Sequence, residues 1–417
     1  MSLPPQTTAL RVNHARLMER LFTLADIGAI DGGGCARLAL SAEDKAGRDL
    51  VVEWMKDLGL SITIDIVGNV VGTWDVGQGS PIMTGSHIDT VRTGGKYDGN
   101  YGVLAGLEVI QTCQENNFTP RRPLAVGFFT NEEGSRYAPD MFGSLTYVGG
   151  LSVEEALHTI GIDGSQVGEE LERIGYLGSS PCPGPSPAAF IELHIEQGPI
   201  LENEGCTIGV VTGVQGISWQ EVTITGQSNH AGTTPMTMRH DPSYVAAAIT
   251  VFLRDLSRRY SGHQVCTVGK IDLHPNLINV IPARAILTLD VRNTDEEVLK
   301  AAETEIRDFL EDLAVQEGVA ITTRSLARFE PVTFDDAVIE TIERVAHDLD
   351  SSHMRLPSGA GHDAQMFARV CPSGMIFVPS INGISHNPAE DTSSADLEMG
   401  ANVLLHTMLA LTESMSS

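Results

Sequence analysis

The stretch Gly85–Gly106, GSHIDTVRTGGKYDGNYGVLAG, decides how the chain folds. Its start completes a short apolar run, Ile82–Ser86, which predicts a buried strand. Its end, from Tyr101, carries helical spacing on to Glu115. Between them, glycines flank a single acid, Asp98. Working outward, Leu10–Leu24 reads as helical. Ser41 reads as the N-cap of a helix running to Leu58, with Gly59 just beyond its end. Ser61–Trp74, Leu124–Thr130 and Phe190–Ile195 read as further strands, and Glu154–His158 as an intervening helix. Ser179–Pro187, rich in Pro, Ser and Gly, reads as a loop. Buried strands alternating with helices predict an α/β fold, a mixed sheet with helices on both faces.

The pattern changes after Gly213. Ile217–Gly226, Gln264–Leu273, Ala285–Asn293 and Val319–Arg328 read as strands, with helices over Pro242–Tyr260 and Asp295–Gln316. Thr294 with Glu297 makes a capping-box signature for the second helix. The order β-α-β-β-α-β predicts a ferredoxin-like α+β domain. After Phe329 the α/β character resumes, with Asp335–Asp350 and Ala395–Thr412 helical and Met375–Pro379 a strand. The expected organisation is a discontinuous domain, residues 1–213 and 330–417, interrupted by a smaller domain, residues 214–329.

The 417 residues exceed one typical core, at a prior of ~150 residues per domain. With 42% hydrophobic and 19% charged residues, there is apolar material for a large core, which argues against global disorder. Acids outnumber bases 54 to 27, a net charge of −27. Such a surface repels phosphate backbones and anionic lipid, so no nucleic-acid partner is expected. No run of about 18 apolar residues appears, so no membrane span is expected. Met1–Ala9 is polar and lacks the apolar core of a signal peptide. Cys35, Cys113, Cys182, Cys206, Cys266 and Cys371 form no CxxC pair, which suits reduced thiols in a cytoplasmic protein.

Five segments carry chemistry. His87 and Asp89, two apart on an extended chain, can face one site, and a carboxylate can hold the second nitrogen of a ligating imidazole. Taken alone, His-x-Asp more often marks a satisfied structural histidine. Asp98 stands among glycines that let backbone approach an ion, or it caps the following helix. Glu132 and Glu133 follow an apolar strand, where like charges are costly unless a cation or hydrogen bonds compensate. On an extended chain the two project differently, so one can bind metal and the other serve as general base. His194 ends another strand and His386 lies in a loop near the C-terminus. Open α/β sheets bind ligands at the carboxyl ends of their strands. Three histidines and two carboxylates together suit a pair of divalent ions, with Zn, Mn, Co and Ni all open.

These segments resemble the hydantoinase/carbamoylase amidase family, a branch of the aminoacylase-like dinuclear metallohydrolases. Besides Gly85–Gly106, the resemblance rests on TNEEGSRYAPDMFGS (130–144), ELHIEQGPILE (192–202), GQSNHAGTTPM (226–236), PNLINVIP (275–282), SGAGHDAQMFA (358–368) and PSINGISHNPAE (379–390). It covers most of the chain in order, from about residue 10 to 410. It implies that His87, Asp98 and His194 hold one metal ion and that Asp98, Glu133 and His386 hold the second, with Asp98 bridging. It implies that Glu132 is the general base, that Asp89 orients His87, and that the inserted domain makes a homodimer.

The resemblance also implies a mechanism. Two metals acidify a shared water, Glu132 moves its proton to the leaving nitrogen, and His230 supports the developing oxyanion. Asn279 and Arg292 bind the substrate carboxylate, for which a planar guanidinium suits two-point contact. Gln197 and the backbone at Gly361 are similar to family active-site positions. The inserted domain would close over the metals about hinges near Gly213 and Phe329, and some of its residues would reach the neighbouring subunit's site. The substrate implied is a small ureido carboxylate, an N-carbamoyl-L-amino acid first, with allantoate and N-carbamoyl-β-alanine as neighbours. A peptidase or aminoacylase, or a non-catalytic binding protein, fits the motifs less well.

Overall fold

The computed structural model describes residues 9–260 and 262–414. The leading segment Met1–Ala9 lies, through residue 8, outside them. The chain divides into two compact units. One runs to Gly213 and resumes at Thr333, and the other is Val214–Val332.

The larger unit is built on a nine-stranded mixed sheet. Four parallel neighbours form its centre, in the order Leu124–Phe128, Ile82–Ser86, Ala189–Ile195 and Ser373–Val378. Every residue of these four strands is buried, which is why their sequences run apolar instead of alternating. Antiparallel strands flank them, Val70–Trp74 beside Leu124–Phe128 and Ile208–Val214 beside Ser373–Val378. The single strand expected over Ser61–Trp74 is a hairpin of Ser61–Ile64 and Val70–Trp74. Asp65 breaks it, because its carboxylate accepts the N–H groups of Val67 at 3.0 Å and Asn69 at 2.9 Å.

Helices cover both faces of this sheet. Phe190 stacks at 4.0 Å on Phe367, in the short helix Asp363–Phe367. Leu193, of opposite parity, faces the closing helix Ser394–Ser414 at Gly400. Ser41 caps the helix Ala42–Asp57 by accepting the Asp44 N–H, and Gly59 follows at φ +69°.

The smaller unit carries a four-stranded antiparallel sheet in the spatial order Ala320–Phe329, Gly216–Thr225, Arg284–Asn293, Val265–His274. In chain order these are its fourth, first, third and second long strands, the arrangement of a split βαβ fold. Ala285, Leu287, Leu289 and Val291 point to one face, alternating with half-exposed residues. They pack into a core with Ile249 and Leu253 of the helix Pro242–Tyr260 and Ile306 and Leu310 of the helix Glu296–Glu317.

The cap of that second helix is Asp295 and not Thr294. Its carboxylate accepts the N–H groups of Glu297 at 2.8 Å and Val298 at 3.0 Å. Glu297 is thereby placed at the second helical position, where it closes no box. A carboxylate also suits the positive end of the helix better than a hydroxyl. No helix among the described residues is long and apolar enough to cross a membrane. The six cysteines are free thiols.

Asp295→Ala should lower the stability of the smaller unit by about 1 kcal/mol, the usual worth of such a cap. Thr294→Ala should cost less than about 0.5 kcal/mol, as for an ordinary surface change. Urea unfolding of the two variants measures the difference, and equal losses would return the cap to Thr294.

Candidate active site

The carboxyl ends of the four central parallel strands converge on one cluster. His87 follows Ser86, Glu132 and Glu133 lie just past Phe128, and His194 is the penultimate residue of its strand. His386 sits in the loop that leaves Val378. Asp98 arrives from the glycine-rich loop before the helix Asn100–Glu115. Gly99, at φ +66°, lies so close under the His87 ring that an added Cβ would meet it at 2.4 Å. Only glycine lets this loop carry Asp98 so near the imidazole.

Asp98 is the hub. Its Oδ1 lies 3.5 Å from His87 Nε2 and 3.1 Å from His194 Nε2. Its Oδ2 lies 3.3 Å from His386 Nε2, which is 3.4 Å from Glu133 Oε2. Glu132 Oε2 stands 3.4 Å from His87 Nε2. His87, Asp98 and His194 thus form one three-residue group that could hold a cation, and Asp98, Glu133 and His386 a second. Two ligand atoms about 2.0–2.1 Å from one tetrahedral ion lie about 3.3 Å apart, the spacing seen here.

Hydrogen bonds set the tautomers. His87 Nδ1 donates to the Asp89 carbonyl at 2.9 Å, and His194 Nδ1 to the Ile195 carbonyl at 2.8 Å. Both Nε2 atoms thus face an Asp98 oxygen without a proton of their own, His194 Nε2 also accepting the Gly99 N–H at 3.1 Å, and the arrangement asks for a proton or a cation. The contact of Asp89 with His87 runs through its backbone carbonyl. Its carboxylate instead accepts the Glu132 N–H at 3.3 Å. The side-chain contact expected from His-x-Asp is absent because the chain leaves the strand at Ser86. Glu132 and Glu133 diverge for a similar reason. The strand stops at Phe128, and Asn131 at φ +57° begins a turn.

Charge balance points the same way. Asp89, Asp98, Glu132, Glu192, Asp363 and Glu390 are buried, and Glu133 nearly so, around only three candidate imidazolium groups. Burial, with Asp363, Glu133 and Asp98 close by, pushes Glu132 well above the usual carboxylate range. Burial and the charge of Asp98 push Glu133 up to about 8. Burial disfavours charge on His87, but Glu132, Asp98 and Asp89 outweigh it and hold the imidazole well above its ordinary value. The hydrogen bond to Asp98 raises His386 to about 9. Glu133 Oε1 and both oxygens of Asp363 are buried without a hydrogen-bond partner. A site with surplus negative charge and an unmatched carboxylate oxygen fits divalent cations.

Further residues support the cluster. Gln197 donates to Asp98 Oδ2 at 2.8 Å. Glu390 accepts the N–H groups of Tyr97 at 3.1 Å and Asp98 at 3.2 Å, and the Ser385 hydroxyl at 2.8 Å. Glu192 accepts the Ser86 hydroxyl at 2.6 Å and the Ala364 N–H at 2.7 Å, so it is satisfied without a cation. Sequence reasoning assigned no role to Glu390 or Glu192. Glu390 lies within the quoted PSINGISHNPAE, and two of its three donors come from a segment nearly 300 residues away. Gly361 abuts Met141 and precedes His362, whose ring meets that of His194 edge-on at 4.6 Å.

The remaining expected residues lie in the smaller unit. His230 pairs with Val280 across a two-stranded ribbon, and the Ala231 N–H donates to the Asn279 carbonyl at 3.0 Å. His230 and Asn279 are therefore neighbours. His230 Nδ1 accepts from Gly232 N–H at 3.0 Å, which leaves the proton on Nε2. Arg292 is elsewhere. It lies at the far end of the strand Arg284–Asn293, forked onto Asp290 with both contacts at 2.9 Å, and over the Trp219 ring at 5.8 Å.

A carboxylate bridging two histidine-bearing groups, with a further glutamate beside it, has the make-up of a hydrolytic metal centre. Residues 83–410 match the family model of peptidase family M20/M25/M40. An N-carbamoyl-L-amino-acid amidohydrolase of Rhizobium meliloti is 39% identical over 97% of both chains. An allantoate amidohydrolase of Escherichia coli is 35% identical over 94% of this chain and 97% of its own. A solved amidase of the hydantoinase/carbamoylase family from Burkholderia multivorans is 44% identical, with a TM-score of 0.93 over 96% of this chain and 98% of its own. The chain belongs to peptidase family M20/M25/M40, in the amidohydrolase branch of these relatives. That family is metal-dependent, and the clusters around Asp98 are this chain's candidate ligands.

A cation can enter only as protons leave. His386, held up to about 9, and Glu133, up to about 8, both carry protons at neutral pH. Metal loading near pH 7 should release protons, and affinity should rise with pH through this range. Calorimetric titration in buffers of different ionisation heat reads the release directly. Loading without proton release would show that His386 and Glu133 have already lost their protons.

Proposed function

We propose that the chain hydrolyses the ureido group of an N-carbamoyl-L-amino acid to the amino acid, carbon dioxide and ammonia, with two divalent ions per subunit. Zn, Mn, Co and Ni all suit the nitrogen and oxygen donors. The observation that carries the reading is Asp98, shared between two candidate ligand groups with Glu132 alongside. Bound cations would polarise the ureido carbonyl and acidify water beside it. Glu132 accepts the water proton on its carboxylate and returns it to the leaving nitrogen. The Asp89 carboxylate, bonded to the Glu132 N–H, fixes where that base stands. His230, with its proton on Nε2, is a donor suited to the developing oxyanion. Asn279 and Arg292 receive the substrate carboxylate. At a net charge of −27, a local guanidinium must offset the repulsion that an anionic substrate meets. Asp290 holds that guanidinium plane in place. Gln197 and Gly361 line the same site in this reading. The free thiols suit a reducing compartment, the cytoplasm.

The smaller unit supports a homodimer on geometric grounds. His230 and Asn279 lie beyond the Arg284 end of the central strand, and Arg292 is near its other end. Eight residues of strand span about 26 Å. One copy cannot close both ends on one small substrate. The two ends serve two sites, so that each site draws on two copies. Allantoate, also a ureido carboxylate, is the second reading, favoured by the Escherichia coli relative. N-carbamoyl-β-alanine would need the same machinery.

Ammonia release from metal-loaded protein, over a panel of N-carbamoyl-L-amino acids, N-carbamoyl-β-alanine and allantoate, tests the substrate. Turnover confined to allantoate would move the chain to the second reading. Glu132→Gln should retain bound metal and lose turnover by orders of magnitude, and near-normal turnover would remove Glu132 from the chemistry. Arg292→Ala should raise KM for carboxylated substrates. Mixing the impaired His230→Ala and Arg292→Ala proteins should raise activity above that of either alone, because half the sites of a mixed dimer receive both intact side chains. No recovery would place both residues in the same copy's site.

A further inference from the structure

We infer that Arg37 is a positioning residue of the metal centre, its one guanidinium clamping together the segments that carry His87 and Asp98. This rests on the proposal that those two residues hold a metal ion. Arg37 is fully buried. Its Nε donates to the Ile88 carbonyl at 2.7 Å, between His87 and Asp89. Its Nη2 donates to Asn100 Oδ1 at 2.9 Å, two residues past Asp98. Asn100 in turn donates to the Lys96 carbonyl at 3.2 Å, and its N–H to the Asp98 carbonyl at 2.7 Å, so it closes the loop that presents Asp98. The backbone of Arg37 is tied as well. Its N–H donates to the Thr90 hydroxyl at 2.8 Å, and its carbonyl accepts the Thr90 N–H at 2.9 Å. Nη1 completes the anchorage on the carbonyls of Leu24 at 2.8 Å and Ile27 at 2.7 Å.

The acceptors are neutral oxygens from four residues, Leu24, Ile27, Ile88 and Asn100, together with the Cys35 sulfur. A permanent charge buried among neutral partners is a costly way to staple a helix to a loop. The planar fork reaches two ligand segments at fixed spacing, which an ammonium cannot do.

The test uses the full chain stripped of metal and titrated with Co²⁺, followed by binding affinity and by the visible absorption of the bound ion. Arg37→Lys keeps the charge and loses the fork. Asn100→Ala removes one arm and leaves Arg37 in place, so it decides the matter should Arg37→Lys fail to fold. Both should weaken Co²⁺ binding about 10-fold or more, the range for residues that orient metal ligands, and should shift the absorption bands. The melting temperature of the metal-free protein is the control for a purely structural role. A lowered melting temperature with unchanged affinity and spectrum would overturn the proposal and leave Arg37 a fold staple. His87→Ala separates the two readings. If it fails to remove metal, the centre itself is misassigned and both fall. If it removes metal while the Arg37 and Asn100 variants bind normally, only the clamp falls.

Discussion

The carboxylate of Asp98 is the contact on which the rest of the larger unit is arranged. Three imidazoles face its two oxygens within 3.1–3.5 Å. To bring them there, four parallel strands must end at one edge, and a loop must pass close enough under His87 that only glycine fits at position 99. Asp98 itself is held well below the usual carboxylate range, since the hydrogen bonds from His194, His386 and His87 outweigh its burial. Its neighbours Glu132, Glu133 and Asp363 are pushed upward by burial and mutual repulsion. A protein interior tolerates this split only when positive charge can be supplied at its centre.

Much of this was legible because metal chemistry restricts residue type. His87, Asp98, His194 and His386 stand out in apolar or glycine-rich surroundings, and the surroundings predict their strands and turns. The supporting contacts were not legible. Asp89 works through its carbonyl, a group every residue has, so no side-chain pattern points to it. Glu390 and Glu192 gather donors from segments far apart in sequence, which no local window can pair. The same holds for secondary structure. The long periodic helices were read to within two residues, except the first, which starts at His14 and not at Leu10, whereas the strands Ile208–Val214 and His353–Ser358 and the short helices Phe142–Tyr147 and Val167–Ile174 escaped notice. Such short elements owe their existence to tertiary packing more than to their own pattern.

The smaller unit is a plain fold to which the proposed function gives two places of action. Its core is an ordinary sheet under two helices, and nothing chemical lies within it. The residues of interest sit at opposite ends of the long strand Arg284–Asn293, with His230 and Asn279 beyond one end and Arg292 by the other. In the proposed function the strand thereby fixes the distance between the two substrate contacts, and its stiffness comes from pairing on both edges.

Three residues at the rim of the centre, Asn131, Gln197 and His386, hold left-handed backbone at φ +57°, +57° and +53°. Each such residue costs roughly 1–2 kcal/mol relative to ordinary backbone. Glycine would relieve that cost at all three, but at Gln197 and His386 it would remove the side chain that meets Asp98, and at Asn131 the amide that ties the turn to the Tyr137 and Pro139 carbonyls. A search for stabilising substitutions would therefore find some of its best sites here and disable the centre by using them. The costly backbone conformations at Gln197 and His386 are the ones that aim the amide and the imidazole of this region.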